Sequence, residues 1–362
     1  MEQVLKIRNL VSRLIYKGIV KKACFLIDPE KVHNRFISLG RFLGNSWLSK
    51  YLINASFGYR NNMLEQNILG IKFSNPVGIS AGFDKNAELL NILGDVGFGF
   101  AEVGSVTYNS CSGNPGVRLI RIPEKKSIWV NLGLNNKGAV EISKSLRGRN
   151  FSIPFGISIA KTNCRETVNV NAGIKDYIES LKEFEGTGEY YTLNISCPNA
   201  YGGQPFHKPE LFALLLKEFS KLKIKKPVFV KLSPDIKKQD IDKIISLSYK
   251  YNISGFICSN LTKTGNKSGG LSGKIVESKA NALLSYIYKK TGRDFILIGT
   301  GGIFSAEDAY KKIKSGASLV QLITGMIYEG PGLISGINMG LVRLLKEDGY
   351  LNISEAIGAG VK

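Results

Sequence analysis

Short apolar runs alternate with amphipathic helical stretches from about residue 70 onward. Apolar residues recur at helical spacing in "PELFALLLKEFSKLKI" and "KKQDIDKIISLSYKYN", and "SAEDAYKKIKSGA" adds a serine cap and a glycine stop. The runs predicted as strands are residues 76–80, 100–104, 155–159, 191–195, 228–232, 255–259, 295–299 and 319–322. Eight strands alternating with helices predict an α/β fold, a (β/α)8 TIM barrel. A doubly wound open sheet is the alternative, because a strand count does not prove closure.

The first 60 residues follow a different pattern, with eleven Lys and Arg against three Asp and Glu. Seven apolar residues recur at helical spacing, with cations between them: Val4, Leu5, Ile7, Leu10, Val11, Leu14 and Ile15. A second amphipathic stretch begins with a cap at Asp28 followed by Pro29. The pattern fits a helical module on an anionic membrane surface, or a helical plug packed against the barrel with solvated cations. We therefore predict an N-terminal helical extension over residues 1–62 and a barrel over 63–362.

Composition excludes several classes of function. The net charge is +20, but the lysines are spread over many helical faces, which argues against a nucleic-acid surface. Five scattered cysteines without a C-x-x-C spacing, and only two histidines, predict neither a metal site nor a disulfide framework. The chain lacks an apolar run long enough to span a membrane, and its cation-rich start is unlike a secretory signal, so we expect a cytoplasmic chain.

Polar residues and glycines stand at the end of nearly every predicted strand. In a closed barrel these ends form one rim, where the active sites of this fold lie. The glycine turns in "LIGTGGI" and "LITGM" follow the last two strands, and their backbone N–H groups predict a phosphate site. The rim residues are Ala81, Gly82, Lys85, Ser105, Ser158, Asn194, Lys231, Ser259, Asn260, Gly299 to Gly302, Thr324 and Gly325.

Three rim residues carry candidate chemistry, and each has a plainer interpretation. Lys231 lies within the apolar strand "VFVKLSPD" and needs an anion, either a bound group or an internal ion pair. Lys85 is a binding residue or a surface lysine beside Asp84. Cys197 in "NISCPN" is a proton-abstracting base at a loop with flanking amides, or a buried small hydrophobe.

The ordered blocks of the chain resemble the dihydroorotate dehydrogenase family over nearly its whole length. These blocks are "NPVGISAGFDKNAE", "GFGFAEVGSVT", "NISCPN", "VKLSPD", "GGLSGK", "IGTGGI" and "SGASLVQLITGMIYEGP". The stretch "FLIDPEKVHNRF" resembles the extension of the membrane-associated, quinone-reducing class. That resemblance favours the membrane interpretation of the N-terminal helices, with peripheral attachment to the cytoplasmic side of the cell membrane.

The resemblance implies an FMN cofactor across the top of the barrel. Oxidation of dihydroorotate to orotate, a step of pyrimidine biosynthesis, would then send electrons through FMN to membrane quinone. A related enzyme using a soluble acceptor, fumarate or a nicotinamide, is the alternative. Cys197 would take the C5 proton, and Lys231 would stabilise the reduced flavin. The implied cofactor residues are Ala81, Gly82, Lys85, Ser105, Ser158, Asn194, Lys231, Ser259, Gly273, Gly301, Gly302, Thr324 and Gly325. The implied substrate residues are Lys85, Asn131, Gly133, Leu134, Asn194, Asn199 and Asn260.

Four positions depart from the family pattern. Cys197 stands where the quinone class usually has serine, and Ser158 replaces a flavin-contacting asparagine. Leu261 replaces a hydroxyl residue, and Val130 stands where a substrate-binding asparagine is usual. Asn131 lies one residue later, so a loop shift by one residue would let it take that role. The alternative is a pocket that accepts a related ring. These departures bear on the substrate and the acceptor more than on the fold.

Overall fold

Four helices precede a barrel in the computed structural model, which describes residues 2–203, 205–259, 261–264 and 267–361. The helices are α1 (Glu2–Ile15), α2 (Lys21–Phe25), α3 (Pro29–Leu43), α4 (Trp47–Phe57), α5 (Leu90–Leu93), α6 (Ala139–Leu146), α7 (Val170–Glu183), α8 (Pro209–Ser220), α9 (Lys238–Lys250), α10 (Glu277–Thr291), α11 (Ala306–Lys314), α12 (Thr324–Glu329) and α13 (Gly332–Glu347). The strands are β1 (Gln66–Ile68), β2 (Ile71–Phe73), β3 (Val77–Ile79), β4 (Phe100–Val106), β5 (Leu119–Ile122), β6 (Ser127–Val130), β7 (Phe155–Ile159), β8 (Tyr190–Asn194), β9 (Val228–Leu232), β10 (Gly255–Cys258), β11 (Thr262–Thr264), β12 (Lys267–Gly273), β13 (Ile296–Thr300) and β14 (Leu319–Leu322).

Eight parallel strands close into the predicted barrel. Strands β3, β4, β7, β8, β9, β10, β13 and β14 pair in chain order, and β14 returns to pair with β3. All eight predicted strands are confirmed, with some ends displaced by one or two residues. The sequences of these strands are continuous apolar runs, because helices cover the outer faces of the strands and side chains fill the barrel interior. The closed ring excludes the open-sheet alternative.

The β1–β2 hairpin packs beside the amino ends of the barrel strands. Phe73 of the hairpin lies edge-to-face against Phe100 of β4, with ring centroids 5.5 Å apart. Tyr190 and Phe229 belong to the same buried cluster. This aromatic layer fills the lower part of the barrel, so the opposite, carboxyl ends of the strands are the ones left for a site.

A second sheet of four short strands, ordered β11–β12–β6–β5, was not predicted. Its partners lie far apart along the chain: Trp129 of β6 pairs with Leu271 of β12. Local periodicity does not report such a pairing, because the contact depends on the barrel bringing two loops together. The sheet places Leu119, Arg121 and Val130 beside the cavity described below.

The first helix turns its polar face toward the barrel and its apolar face outward. Ile7 and Leu14 are each 62% exposed, whereas Arg8 donates to Ser335 of α13 and Arg13 donates to Glu329. A plug would bury its apolar face, so this orientation is opposite to the plug interpretation. No helix among the described residues has the length and apolarity needed to cross a bilayer. The predicted division at residue 62 stays a prediction.

Helix α3 begins as the sequence pattern predicts. The Asp28 carboxylate accepts hydrogen bonds from the backbone N–H groups of Glu30 and Lys31, and Pro29 occupies the first turn. The Glu30 carboxylate at this helix start forms an ion pair with Arg118 from the loop before β5. Together with Arg13–Glu329 this pair attaches the N-terminal helices to the barrel.

Candidate active site

A cavity of about 460 Å³ runs from the N-terminal helices to the carboxyl ends of the barrel strands. Its outer half is apolar and is lined by Phe25, Val32, Phe36, Leu39, Leu43, Ile53 and Phe57. Its inner half carries polar groups and glycines predicted from the sequence: Ala81, Gly82, Lys85, Ser105, Gly133, Leu134, Asn194, Cys197, Asn199 and Thr324. The closed barrel therefore brings six of the predicted rim residues into one space, together with Gly133, Leu134, Cys197 and Asn199.

Hydrogen bonds hold the amide and hydroxyl groups at the inner end in place. Asn194 Nδ2 donates to Ser105 Oγ at 2.7 Å, and Ser105 Oγ lies 2.7 Å from Ser158 Oγ. Asn194 Oδ1 accepts from the Ser196 hydroxyl at 2.9 Å. Ser158 thus supports Ser105 from within the barrel. It is fully buried and is not part of the cavity wall.

Lys85 lines the inner half of the cavity and is therefore not a surface lysine. Its neighbour Asp84 is buried and accepts the backbone N–H groups of Glu88 and Leu89, both at 2.8 Å. Burial lowers the pKa of Lys85 to about 8, helped by the nearby Arg118 guanidinium and opposed by Glu30 and Asp84. A lysine with this pKa carries its charge at neutral pH and loses it in mildly alkaline solution.

Lys231 and Glu102 form an ion pair inside the barrel. Both side chains are almost fully buried, with Lys231 Nζ 3.7 Å from Glu102 Oε1 and 3.2 Å from Ser80 Oγ. Gln321 Nε2 donates to the other carboxylate oxygen at 2.9 Å. The internal ion pair weighed from the sequence is therefore present, and Ser80 borders the glycine turns described below.

We expect Lys231→Met to lower the free energy of unfolding by about 3–5 kcal/mol, because Glu102 would remain charged and unpaired in the interior. The double variant Lys231→Met/Glu102→Gln should recover most of that loss, since it removes both charges. Urea unfolding of the purified proteins measures both values. Equal losses in the single and double variants would contradict the ion-pair account.

The predicted glycine turns meet in a second small space. Gly273, Gly301, Gly302, Thr324 and Gly325 surround it, with Ser80 and Ser272. Gly273, Gly301 and Gly302 have φ of +103°, +90° and +80°, a region that glycine adopts without strain. Thr324 Oγ1 and Ser272 Oγ lie 2.7 Å apart and supply hydroxyl groups. These turns suit an anion such as phosphate.

Cys197 lies beside the amides at the inner end of the cavity. Burial raises the pKa of its thiol, while the backbone N–H groups of Asn199 and Ala200 and the Lys161 and Lys231 ammonium groups act against that rise. Asn199 Oδ1 is buried without a hydrogen-bond partner among the described residues, as is Ser259 Oγ. Such buried acceptors are costly unless a ligand satisfies them.

The positions that depart from the family pattern lie at the same end. Val130 and Leu261 line the cavity with apolar side chains. Asn131 is not part of the wall: its Oδ1 accepts from Asn114 Nδ2 at 2.8 Å, and that amide also donates to the Asn199 carbonyl at 3.0 Å. Its assignment to substrate stays a prediction, and in this geometry Asn131 supports the loop of Asn199. Asn260 lies outside the described residues.

Sequence analysis missed three polar residues at these cavities. His33 and Arg121 line the main cavity between α3 and the second sheet, and Lys161 follows β7. Burial and Lys85 lower the pKa of His33 to about 3, so its ring is neutral at physiological pH. Lys161 could have been noticed, because a lysine in the loop after an apolar strand is the signal that singled out Lys85. Within the described part of the chain, His, Cys, Asp and Glu do not form a metal-binding cluster.

Comparisons with known proteins give a consistent result. A profile of the family described as dihydroorotate dehydrogenase matches residues 63–345. Proteins named dihydroorotate dehydrogenase (quinone) are similar over most of both chains. The one from Trichodesmium erythraeum is 33% identical over 98% of this chain and 99% of its own length. The one from Sulfurimonas denitrificans is 36% identical over 95% and 98%.

A solved structure agrees. The crystal structure of ligand-free DHODH from Eimeria tenella superposes with a TM-score of 0.79 at 28% identity, covering 90% of this chain and 99% of that one. Profile, relatives and solved structure thus point the same way, and the chain belongs to the dihydroorotate dehydrogenase family.

Proposed function

We propose that this protein oxidises dihydroorotate to orotate with a bound FMN and passes the electrons to a membrane quinone. The observation that carries the proposal is the single cavity joining an apolar passage between the N-terminal helices to Lys85, Asn194, Cys197 and Asn199. A polar substrate and an apolar electron acceptor would thus bind at the two ends of one cavity. The relatives named for the quinone reaction support the same assignment.

The residues present fit FMN. Gly82 has φ +110°, and a Cβ added there would meet only Ile323 at 3.8 Å, so the wall leaves flat, open space above that backbone. The unpaired Ser259 Oγ offers a hydrogen-bonding group. The turns at Gly301, Gly302 and Gly325 would hold the phosphate. Ser158 would act through Ser105, and the rest of the proposed set is Ala81, Lys85, Ser105, Asn194, Gly273, Thr324 and Lys231. When bound, FMN supplies the two-electron redox chemistry that side chains lack.

The inner polar groups suit a planar ring with a carboxylate. Lys85 would pair with the carboxylate, and Asn194 and Asn199 would exchange hydrogen bonds with the ring amides. Gly133 and Leu134 border the same space, and Asn260 stays a prediction. Cys197 would accept the C5 proton on its sulfur as the neighbouring C6–H bond is oxidised. Val130 and Leu261 give this end of the pocket fewer polar contacts than the family pattern has.

The outer half of the cavity suits the acceptor. Its walls are apolar, and two side chains bring polar N–H groups to it, the neutral His33 ring and Arg121. Arg121 is held by its bond to the Ile27 carbonyl at 2.7 Å and stacks 4.6 Å from the Phe25 ring centroid. These donors would bind the carbonyl oxygens of a quinone head, with the apolar walls around its tail.

The outward apolar face of α1 supports peripheral attachment to a membrane. Val4, Ile7 and Leu14 are all exposed by 62% or more, which is unusual for a helix of a soluble protein. Arg8 and Arg13 bind residues of the barrel, Ser335 and Glu329. Attachment to the membrane would therefore depend more on burial of apolar side chains in lipid than on charge. A protein seated this way would take quinone directly from the lipid phase, on the cytoplasmic side by our assignment.

The affinity for dihydroorotate should fall as the pH rises through about 8. The Lys85 ammonium is lost above that pKa in the free enzyme, and the carboxylate then loses its counter-ion. We expect KM to rise about tenfold per pH unit above 8, and Lys85→Met to raise KM at every pH by about 10–100-fold. Steady-state kinetics from pH 6 to 10 measure this. Lys137→Met, an exposed lysine nearby, is the control, and a flat KM profile would contradict the assignment.

One anaerobic experiment tests the proposed function. The purified protein should carry FMN, and excess dihydroorotate should bleach its yellow absorbance. Reoxidation should then be much faster with a short-chain quinone than with fumarate or a nicotinamide. Flavin that stays oxidised would refute the substrate, and faster reoxidation by a soluble acceptor would refute the quinone.

A further inference from the structure

Cys197 also lines a second, much smaller chamber. The chamber holds about 10 Å³, room for one water molecule at most, so the groups around it lie close together. Its polar wall residues are Lys161 from the loop after β7, Tyr177 of α7, Asn194 at the end of β8, and Cys197 itself. The predicted base therefore has a lysine beside it that belongs to neither the proposed flavin contacts nor the proposed substrate contacts.

Lys161 is a buried cation without a carboxylate partner. Its side chain is 3% exposed, and Nζ donates to the Tyr201 carbonyl at 2.8 Å and to Thr167 Oγ1 at 3.4 Å. Both acceptors are neutral, and none of the ion pairs found in the described ranges includes Lys161. Burying an ammonium in this way is costly unless a negative charge lies near it.

Three other ionisable groups lie near Lys161, and none of them makes an ion pair with it among the described residues. The Asp176 carboxylate acts on Lys161 through its charge, but its oxygens accept from the Thr162 N–H and hydroxyl groups, at 2.7 and 2.6 Å, and it makes no ion pair with Lys161 in the described ranges. The Tyr177 hydroxyl donates to the Asn194 carbonyl at 2.7 Å, and burial raises its pKa well above the ordinary value. The Cys164 thiol donates to Thr167 Oγ1 at 3.7 Å.

Cys197 is the acid that lines the same small chamber as Lys161. Two cations face it, Lys161 from the β7 side and Lys231 from β9, and Tyr177 faces it from α7. Lys231 already has Glu102 as its partner, so Lys161 is the cation whose charge is available to the thiolate. Burial raises the pKa of the thiol and lowers the pKa of Lys161, so it works against both charges, whereas each charge favours the other through their attraction.

We propose that Lys161 is a positioning residue for the base, whose ammonium stabilises the Cys197 thiolate and so sets the pH at which proton abstraction begins. This inference rests on the proposed function, since it assigns how that function's base becomes ionised. The C5 proton passes to the sulfur, the thiolate becomes a thiol, and Lys161 keeps its proton throughout. The thiol returns its proton to solvent before the next turnover.

Lys161 also anchors the loop of Cys197 through the Tyr201 carbonyl, so the test must separate charge from anchoring. Lys161→Met removes both, and Lys161→Arg keeps the charge. Thr167→Val removes a hydroxyl partner and leaves the charge in place. Lys208→Met, an exposed lysine before α8, is the control for a lost surface charge. Lys161→Gln, which keeps a donor for the Tyr201 carbonyl, replaces Lys161→Met if that variant does not fold.

The first measurement is the rate of anaerobic flavin reduction by dihydroorotate in the holoenzyme, from pH 5.5 to 10. The rate should rise with pH as Cys197 ionises. We expect Lys161→Met to move the midpoint upward by about one to two pH units, and Lys161→Arg to stay within about half a unit of wild type. Thr167→Val and Lys208→Met should leave the midpoint unchanged. If Lys161→Met lowered the rate by the same factor at every pH, Lys161 would act only by anchoring the loop of Cys197. That result would overturn the proposal.

The second measurement needs no turnover. Iodoacetamide alkylates thiolates, and mass spectrometry of the Cys197 peptide gives the extent of reaction at each pH. The alkylation midpoint should move upward in Lys161→Met by the same amount as the kinetic midpoint. If wild-type flavin is not reduced by dihydroorotate, the proposed function fails while the alkylation midpoint still decides on Lys161. An alkylation midpoint that is equal in both proteins overturns the role of Lys161.

Discussion

Flavin reduction by dihydroorotate should slow by about 10²–10⁴-fold in Cys197→Ala, the usual contribution of a positioned general base. The thiol lies with Asn194 and Asn199 at the inner end of the cavity, where a ring held by those amides would present its C5 proton. Alanine keeps the volume close to that of cysteine and removes the proton acceptor. Single-turnover bleaching under anaerobic conditions, with saturating dihydroorotate, measures the chemical step without the quinone reaction.

Cys164→Ala is the matched control for that experiment. Cys164 lies in the neighbouring loop after β7, and its thiol donates to Thr167 without reaching the main cavity. Its loss should leave the bleaching rate within about twofold, as expected for a partly exposed residue away from the chemistry. A near-normal rate in Cys197→Ala with flavin still bound would remove Cys197 as the base and leave the proton acceptor to be found elsewhere.

The second large effect is expected for Ile7→Glu combined with Leu14→Glu. Both side chains project outward from α1, and burying each in a lipid interface would contribute about 1.5–3 kcal/mol. Their replacement by charge should weaken binding to phospholipid vesicles by more than about 100-fold. Turnover with vesicle-embedded quinone should fall accordingly, while flavin reduction by dihydroorotate stays normal because the inner pocket is untouched.

Vesicle co-sedimentation measures the binding, and Leu214→Glu combined with Leu351→Glu is the matched control. Both control residues are exposed apolar side chains outside the N-terminal helices, so the charge change is the same and the surface is different. Binding should also persist at high salt, because Arg13 and Lys17 are already paired with Glu329. Unchanged vesicle binding in Ile7→Glu/Leu14→Glu would show that this face does not dock on lipid.

Much of the barrel could be predicted because each of its strands and helices is specified by a short continuous stretch of sequence. Each strand is a short apolar run, and each helix carries its own periodicity and often its own cap, as at Ser305 of α11. Parallel strands have their carboxyl ends on one edge, so residues as distant as Lys85, Asn194 and Thr324 could be expected together. The second sheet escaped prediction because β6 and β12 are separated along the chain by strands and helices of the barrel and meet only in the folded structure.

Site residues were harder to predict where the role of a side chain depends on a residue that is close to it only in the folded structure. Asn131 and Val130 are adjacent in the chain, but only Val130, the last residue of β6, lines the cavity, whereas Asn131 beyond the strand accepts a hydrogen bond from Asn114. The role proposed for Lys161 depends on the Tyr201 carbonyl and the Cys197 thiol, which lie near it but belong to another loop. Lys231 was expected to need an anion, and the interior supplies Glu102.

The amino-acid sequence by itself determined the eight alternating strands, the residues at their ends and the amphipathic character of the first helices. All of these follow from the order of side chains along a regular backbone. Only the tertiary structure decided which way those helices face. A periodic pattern defines an apolar face but not its surroundings, and here buried partners such as Ser335 and Glu329 bind the polar face of α1 and turn Ile7 and Leu14 outward.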